Sequence, residues 1–231
     1  MGSFREKTFS VQDFFESFFN GQNGLAAGWG PPQTYTAHAE IFRQDTPAEA
    51  VYFIERGLVK LSRIDRSGQE VIAGLRRRHW IIGAPAALLG KPYSFTNSAL
   101  THCTLRCISA AGFMNLVETD KDFNLQILAM LSEEIFTHGK NAVNLGCLPA
   151  VDRLKRLVFD ILTEMEQPSG QKWEVTFQLP LKHRELAQMV AVTPEHLSRL
   201  LGTLERDGLI QRVGSLLKVR DYRALMSECG M

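Results

Sequence analysis

No apolar run in the 231-residue chain approaches the roughly 20 residues that a bilayer crossing requires, so a membrane-spanning helix and a membrane partner are set aside. The four cysteines supply no CxxC pair and no cysteine–histidine finger spacing, which excludes a zinc finger and a disulfide framework. Cys103, Cys107, Cys147 and Cys229 read as reduced thiols, and no metal site is expected. An excess of charge is missing too: a net charge of +1 gives no bulk basic field, so any nucleic-acid site must be a local arrangement of a few Lys and Arg. Apolar residues are not scarce. At 45% hydrophobic the chain can bury a core without staples, and a soluble cytoplasmic protein is the simplest expectation.

What is present is a change of texture along the chain. Aromatic residues at helical spacing from Phe9 to Phe19 predict a short helix, and the Gly-, Asn- and Pro-rich stretch after it predicts a loop. From about Thr36 to Ile108, short apolar runs alternate with turn signals at Glu55-Arg56-Gly57 and Asp65-Arg66-Ser67-Gly68, the pattern of a compact antiparallel β barrel or roll. Beyond Glu118 the period lengthens. Phe123, Ile127, Leu131 and Ile135 fall on one side of a long helix, and a second copy of the chain is the commonest cover for such a stripe, so these four are the expected dimer seam.

Pro149 ends or bends that helix, and the Leu148-Pro149 junction is the expected domain boundary. An amphipathic helix follows over Val151 to Met165, then a short strand, two helices with a very short connection, and a hairpin turning at Gly214-Ser215. That order is a helix-turn-helix with a wing. The predicted fold class is α+β: an N-terminal antiparallel β roll over residues 1–117, a dimerisation helix over 118–148, and a C-terminal winged helix-turn-helix over 149–231.

The second helix of that pair carries the functional signal. Thr193 can cap it and Pro194 suits its first position, where no donor is missed. Leu197, Leu200, Leu201 and Leu204 then form a buried stripe that leaves Glu195, His196, Ser198 and Arg199 off it. Ala187 is the small residue that lets the two helices approach, with Leu186, Val190, Val192, Leu197 and Leu201 locking the crossing. Ala191 stands in the turn where many such units have Gly, and a left-handed conformation there costs about 1–2 kcal/mol without Gly.

In the major groove an Arg can grip guanine O6 and N7 and a Glu can accept from cytosine N4, so Glu195, Ser198 and Arg199 are the candidate base readers. Lys182, His183, Arg184, Thr193, His196, Arg212 and Lys218 are candidates for the phosphate backbone, which fixes position without reading sequence. Double-stranded DNA is the expected partner. As an i,i+4 pair, Glu195 and Arg199 would otherwise be surface decoration worth about 0.2–0.5 kcal/mol. The cap, the tight first helix and the wing around them favour reading.

From Ala39 to Arg220 this order resembles the Crp/Fnr family of bacterial transcription regulators, carried by "VYFIERGLVKLSRIDRSGQEVI", "WIIGAPAALLG", "DRLKRLVFDIL" and "LKHRELAQMVAVTPEHLSRLLGTLERDGLI". Glu195, Ser198 and Arg199 form an E-x-x-S-R pattern similar to the Fnr-type members, which implies half-sites like TTGAT; the Crp type has Arg where this chain has Pro194. The resemblance implies a homodimer on a palindrome, a roll that receives a small-molecule effector, and a contact with RNA polymerase.

Members that bind cyclic AMP hold its ribose with a Glu and its phosphate with an Arg-Ser pair. The matching positions here are Ala84 and Tyr93-Ser94, and the polar pair of the long helix that meets the base falls at His138-Gly139. With Leu88, the residues Ala84, Tyr93, Ser94 and His138 make the candidate effector pocket. A phosphate buried there would lack its guanidinium, so a signal other than cyclic AMP is expected. Members with an iron–sulfur cluster use N-terminal cysteines, and the first cysteine here is Cys103, so no Fe-S cluster is expected.

The identity of a cofactor stays unknown at this point. His38, His79, His102 and His138 each offer a single axial ligand for haem, yet none has a spacing that specifies a metal, and lone histidines are usually structural. Cys103 and Cys107 read as core thiols, with a redox or nitric oxide role as the alternative. The run Arg76-Arg77-Arg78 reads as solvated surface or as a contact for polymerase or an anionic ligand. Two rivals to the ligand-responsive regulator remain: a constitutive regulator, and a cupin-like β-roll metal-binding protein or enzyme. The second would want His and Glu converging from neighbouring strands, and His38, Glu40 and His79 do not form that local motif. A regulator, not an enzyme, is the expected function.

Overall fold

The computed structural model describes residues 14, 15, 17, 18, 28–165, 174–214, 216–221, 224 and 225. Most of the expected Phe9–Phe19 helix, the loop after it, Ser215 of the hairpin turn and Cys229 lie outside these. Eight short strands come first: β1 (Gln33–Tyr35), β2 (Glu40–Phe42), β3 (Ala50–Arg56), β4 (Val59–Ile64), β5 (Glu70–Arg76), β6 (Ile81–Ile82), β7 (Thr96–Ala99) and β8 (Cys103–Ser109). They pair antiparallel in two four-stranded sheets, ordered β1-β8-β3-β6 and β2-β7-β4-β5. Phe42, Val59, Leu61 and Ala99 from one sheet share a core with Ile54, Ile82 and Leu105 from the other. Register shifts between Ile54 and Arg56 and between Leu61 and Ser62 mark bulges, which bend strands and let short sheets curl into a roll.

Helix α1 (Ala84–Leu89) interrupts the roll before β7, and α2 (Ala110–Thr119) follows β8, started by Ser109 Oγ accepting from the Gly112 N–H at 3.1 Å. Asp120 breaks the chain and caps the next helix, its carboxylate accepting from the Phe123 N–H at 3.0 Å. That helix, α3 (Lys121–Cys147), has two apolar faces. Phe123, Ile127 and Met130 are buried with Phe15, Phe18, Phe53 and Phe113, and Leu131 packs at the edge of the same cluster. The expected dimer seam therefore needs correction. Phe123 and Ile127 cover the chain's own roll, and of the four residues only Ile135 stands out, 72% exposed, on a face with Leu125, Leu128, Phe136 and Val143.

Leu148 and Pro149 separate α3 from α4 (Ala150–Met165), which leads to β9 (Val175–Gln178), α5 (His183–Val190), α6 (Pro194–Arg206), β10 (Ile210–Val213) and β11 (Leu216–Val219). The last three strands form one antiparallel sheet, ordered β10-β11-β9. Leu154, Val158, Ile161 and Leu162 of α4 pack with Leu186, Val190, Leu197, Leu201 and Leu204 in a core that Leu58 and Leu100 of the roll also enter. Fold class and element order agree with the sequence reading: roll, long helix, winged helix-turn-helix.

Of the Arg76–Arg78 run only Arg77 stands exposed as solvated surface. Arg76 is buried, pairs with Glu134 of α3 and lies 5.1 Å over the Trp80 ring, while Arg77 reaches Glu164 of α4 at 3.5 Å. Arg78 Nε donates to His79 Nε2 at 2.9 Å. The run joins the roll to both helices. Among the described residues no helix is long and apolar enough to cross a membrane.

Candidate functional site

Two short helices and one turn set the geometry of the reader. Ala187 is 1% exposed where α5 and α6 cross, and Leu186, Val190, Leu197 and Leu201 are buried around it, as the spacing required. Ala191 ends α5 in the left-handed region, φ 56° and ψ 53°, its N–H bonded to the carbonyls of Ala187 and Gln188. Thr193 Oγ1 then accepts from the His196 N–H at 3.2 Å, with Pro194 at the first helical position. That hydrogen bond fixes where α6 begins and hence which residues its first turns display.

Glu195, Ser198 and Arg199 are all exposed on α6, Glu195 one turn before the adjacent Ser198 and Arg199, on the side opposite the buried leucines. The Glu195 carboxyl is held below its ordinary range, first by a backbone hydrogen bond and then by Thr193, with His183 and Arg199 helping, so it is an acceptor at neutral pH. Ser198 Oγ bonds the Pro194 carbonyl at 3.1 Å and lies 3.3 Å from His183 Nε2. Lys182, His183 and Arg184 stand exposed at the start of α5, beside Thr193 and the half-buried His196. Two expected phosphate contacts are engaged elsewhere. Arg212 donates to Glu205 at 2.6 Å and Lys218 pairs with Glu174 at 2.8 Å, so each would have to release or share a carboxylate to meet DNA.

The candidate effector residues scatter. Ala84 is buried at the start of α1, Leu88 is half-buried, Ser94 is exposed, and His138 is exposed on α3, 3.6 Å from Glu134. Tyr93 is buried and closes the roll from within. Its ring stacks on Phe42 at a centroid distance of 3.9 Å, and its hydroxyl donates to the Ala50 carbonyl at 2.6 Å while accepting from the Ala50 N–H at 3.2 Å. Gly83, with φ 86°, makes room for that ring: a Cβ there would come within 3.1 Å of Tyr93 Cε1. One cavity, of about 390 Å³, is lined by Phe42, Thr46, Pro47, Glu49, Ala50, Tyr52 and Tyr93; another, of about 540 Å³, runs along Gln44, Arg63, Arg66, Val71 and Phe95. Of the five expected pocket residues only Tyr93 lines either.

The histidines do not converge. His38 and His102 are exposed, His79 is buried against Phe53, and among the described residues no three His, Cys, Asp or Glu side chains are placed to hold a metal ion. Burial pushes the Cys103 thiol up despite hydrogen bonds from its surroundings, which makes it a poor nucleophile, and Cys107 is half-buried.

Sequence reasoning missed the residues that join roll and reader, Lys60 of β4 with Glu185 and Gln188 of α5, and Arg153 of α4, which ties the α3–α4 junction to the end of α5. Lys60 Nζ lies 2.7 Å from Glu185, Gln188 bonds the edge of β5, and Arg153 bonds the carbonyls of Leu148 and Val190 at 2.6 and 3.0 Å. Only Glu185 carried a local signal, three residues after the helix cap.

Comparison with known proteins agrees with this architecture. Residues 32–120 match the cyclic nucleotide-binding domain family, and residues 153–228 match the Crp-like helix-turn-helix domain family. The chain is 26% identical over 190 residues to the global nitrogen regulator of Nostoc sp., covering 80% of this chain and 84% of that one. It is 24% identical over 190 residues to the cAMP-activated global transcriptional regulator CRP of Escherichia coli O157:H7, covering 82% and 89%. Among solved structures, FixK2 from Bradyrhizobium japonicum superposes with a TM-score of 0.70 at 19% identity over 85% of this chain and 96% of that one. A CRP/FNR-family regulator from Thermus thermophilus gives 0.71 at 19% over 87% and 99%. These relatives are regulators, which removes the cupin-like enzyme reading. With a cyclic nucleotide-binding roll, a long helix and an exposed, capped reading helix in that order, the chain belongs to the Crp/Fnr family of DNA-binding transcription regulators.

Proposed function

We propose that this regulator works as a homodimer on a palindromic site and answers to a signal other than cyclic AMP. Residues 1–117 form the sensor, 118–148 the dimer helix and 149–231 the reader. The carrying observation for DNA reading is the exposed trio Glu195, Ser198 and Arg199 on a helix whose other face is fully buried. Arg199 grips a guanine, Glu195 accepts from a cytosine, Ser198 completes the E-x-x-S-R pattern, and Lys182, His183 and Arg184 meet phosphates. Dimerisation is supported by the outer face of α3, where Leu128, Ile135, Phe136 and Val143 are each more than half exposed.

Against cyclic AMP stands Tyr93. A phosphate needs a cation, and a phenol locked to Ala50 and stacked on Phe42 supplies none. The arginines that could have replaced it are committed to Glu134, Glu164 and His79. The effector is a molecule of different chemistry, RNA polymerase is the downstream partner, and the protein acts in the cytoplasm.

Operator binding by full-length protein tests the reading. Arg199→Ala should weaken the specific site by about 1–3 kcal/mol and relax one base position; Lys182→Ala should weaken all duplexes alike and lower the salt slope by about one. Millimolar cyclic AMP should change neither affinity nor heat in titration calorimetry. Equal losses for both variants on specific and random DNA would remove the role assignment, and saturable cyclic AMP binding would remove the sensor reading.

A further inference from the structure

Three polar contacts tie the first reader helix to the chain's own roll. Lys60 Nζ, on β4, lies 2.7 Å from Glu185 Oε1 on α5 and 3.0 Å from Glu70 Oε1 on β5. Gln188, one turn further along α5, uses its side-chain amide as a piece of strand: its Oε1 accepts from the Ile72 N–H at 3.2 Å and its Nε2 donates to the Glu70 carbonyl at 3.2 Å. β5 is the outer strand of its sheet, so residues 70 and 72 present backbone groups with no neighbouring strand to meet them. The amide satisfies one donor and one acceptor there.

The polar contacts sit beside an apolar one. Leu58 and Leu100 of the roll are each 3% exposed and belong to the same cluster as Leu186, Ala187 and Leu197. Lys60 and Glu185 are themselves mostly buried, with side chains 13% and 17% exposed, so this ion pair is screened far less than a surface pair. Burial is the largest single influence on the Glu185 carboxyl and would raise it, but the hydrogen bonds from Lys60 and the Lys182 N–H and the Lys60 charge together outweigh it and hold it below the ordinary range; Glu70 across the pair is also held low, first by a hydrogen bond from Ser62 and then by Lys60.

The same Glu185 carboxylate does a second job. Its Oε2 accepts from the Lys182 N–H at 2.8 Å, closing the first turn of α5 where Lys182, His183 and Arg184 stand exposed. One carboxylate thus touches the roll on one side and the end of the DNA-facing helix on the other. We infer that Lys60, with Gln188, is a positioning residue for DNA binding, holding each reader at a fixed angle on its own roll so that a dimer presents two reading helices at one set separation. This rests on the homodimer reading above. Two readers at a fixed separation raise the effective concentration of the second half-site once the first is bound, and readers on a slack joint do not.

The test uses full-length protein and the palindrome it enriches from a random duplex pool, the same duplex with one half-site scrambled, and versions with the spacer changed by about one and two base pairs. Wild type should prefer the palindrome to the half-site and discriminate among spacers. Lys60→Gln and Gln188→Ala should each lose about tenfold on the palindrome, keep wild-type affinity for the half-site and flatten the spacer preference, while Lys60→Arg restores it. Gln188 is exposed, so its variant keeps the test alive if Lys60→Gln melts. Wild-type spacer discrimination in both variants overturns the inference and leaves the dimer intact; a wild type with no preference for palindrome over half-site overturns the dimer reading and this inference with it.

Discussion

Ala191 shows how a single residue can be read and then checked. The turn between two such helices needs a left-handed backbone, the sequence puts Ala there, and the structure adopts φ 56° with that Ala. Its side chain is exposed, so nothing is packed against the methyl that a substitution would lose. Ala191→Gly should therefore stabilise the protein by about 1 kcal/mol, a rise of about 2–4 °C in melting temperature for a chain of this size. An unchanged or lowered midpoint in thermal and urea denaturation would mean that the flanking hydrogen bonds, not the φ angle, set the energy of this turn. Thr193 and Pro194 were legible for the same reason as Ala191: each acts on backbone within four residues of itself. Tyr93 was legible only in part. Its position announced a missing guanidinium, but its partners Phe42 and Ala50 lie more than 40 residues away in the chain, and no local pattern points to them.

Periodicity locates an apolar stripe on a helix and says nothing of what covers it. In α3 there are two stripes, offset around the axis, and the one through Phe123, Ile127 and Met130 belongs to the roll. The stripe through Leu128 and Ile135 is the one left facing outward. Substitutions on the two faces should behave differently. Ile135→Glu places a hydrated charge in the proposed seam and should give folded monomers with weak operator binding, seen as a halved mass in sedimentation with an unchanged circular dichroism spectrum. Ile127→Glu buries an unpaired carboxylate among Phe15, Phe53 and Phe113, costs about 3–5 kcal/mol and should unfold the roll or make it insoluble. If Ile135→Glu remained dimeric, the interface would have to lie off this face of α3. The strands were easier to read than the helix, because they are short apolar runs bounded by turn residues.

At the scale of the whole molecule the three arginines at the end of β5 and just after it matter most. As a run they look like surface, because their carboxylate partners lie 58 and 87 residues further along the chain. In the structure Arg76 holds α3 and Arg77 holds α4, so the roll is connected at adjacent residues to the long helix and to the first helix after it. Glu164 reports on that joint. Its side chain is 17% exposed, and burial pushes its carboxyl above the ordinary range, with Arg77 and Arg78 pulling it down without cancelling the effect. A carboxyl raised in the folded state binds its proton more tightly there than in the unfolded chain. Its contribution to stability is therefore complete below the ordinary carboxylate value and is lost as pH rises through the raised one. Glu164→Gln keeps an oxygen for Arg77 Nη1 and removes the ionisation. The variant should melt higher than wild type at alkaline pH, and the gap should close as pH falls through the raised carboxyl value towards the ordinary carboxylate range, because the wild-type side chain then takes up its proton. Melting curves of both proteins across that range decide the point. A variant that melted lower than wild type at high pH would show that the attraction of Arg77 exceeds the cost of burying the charge, and that the joint is held by an ion pair rather than carried in spite of one.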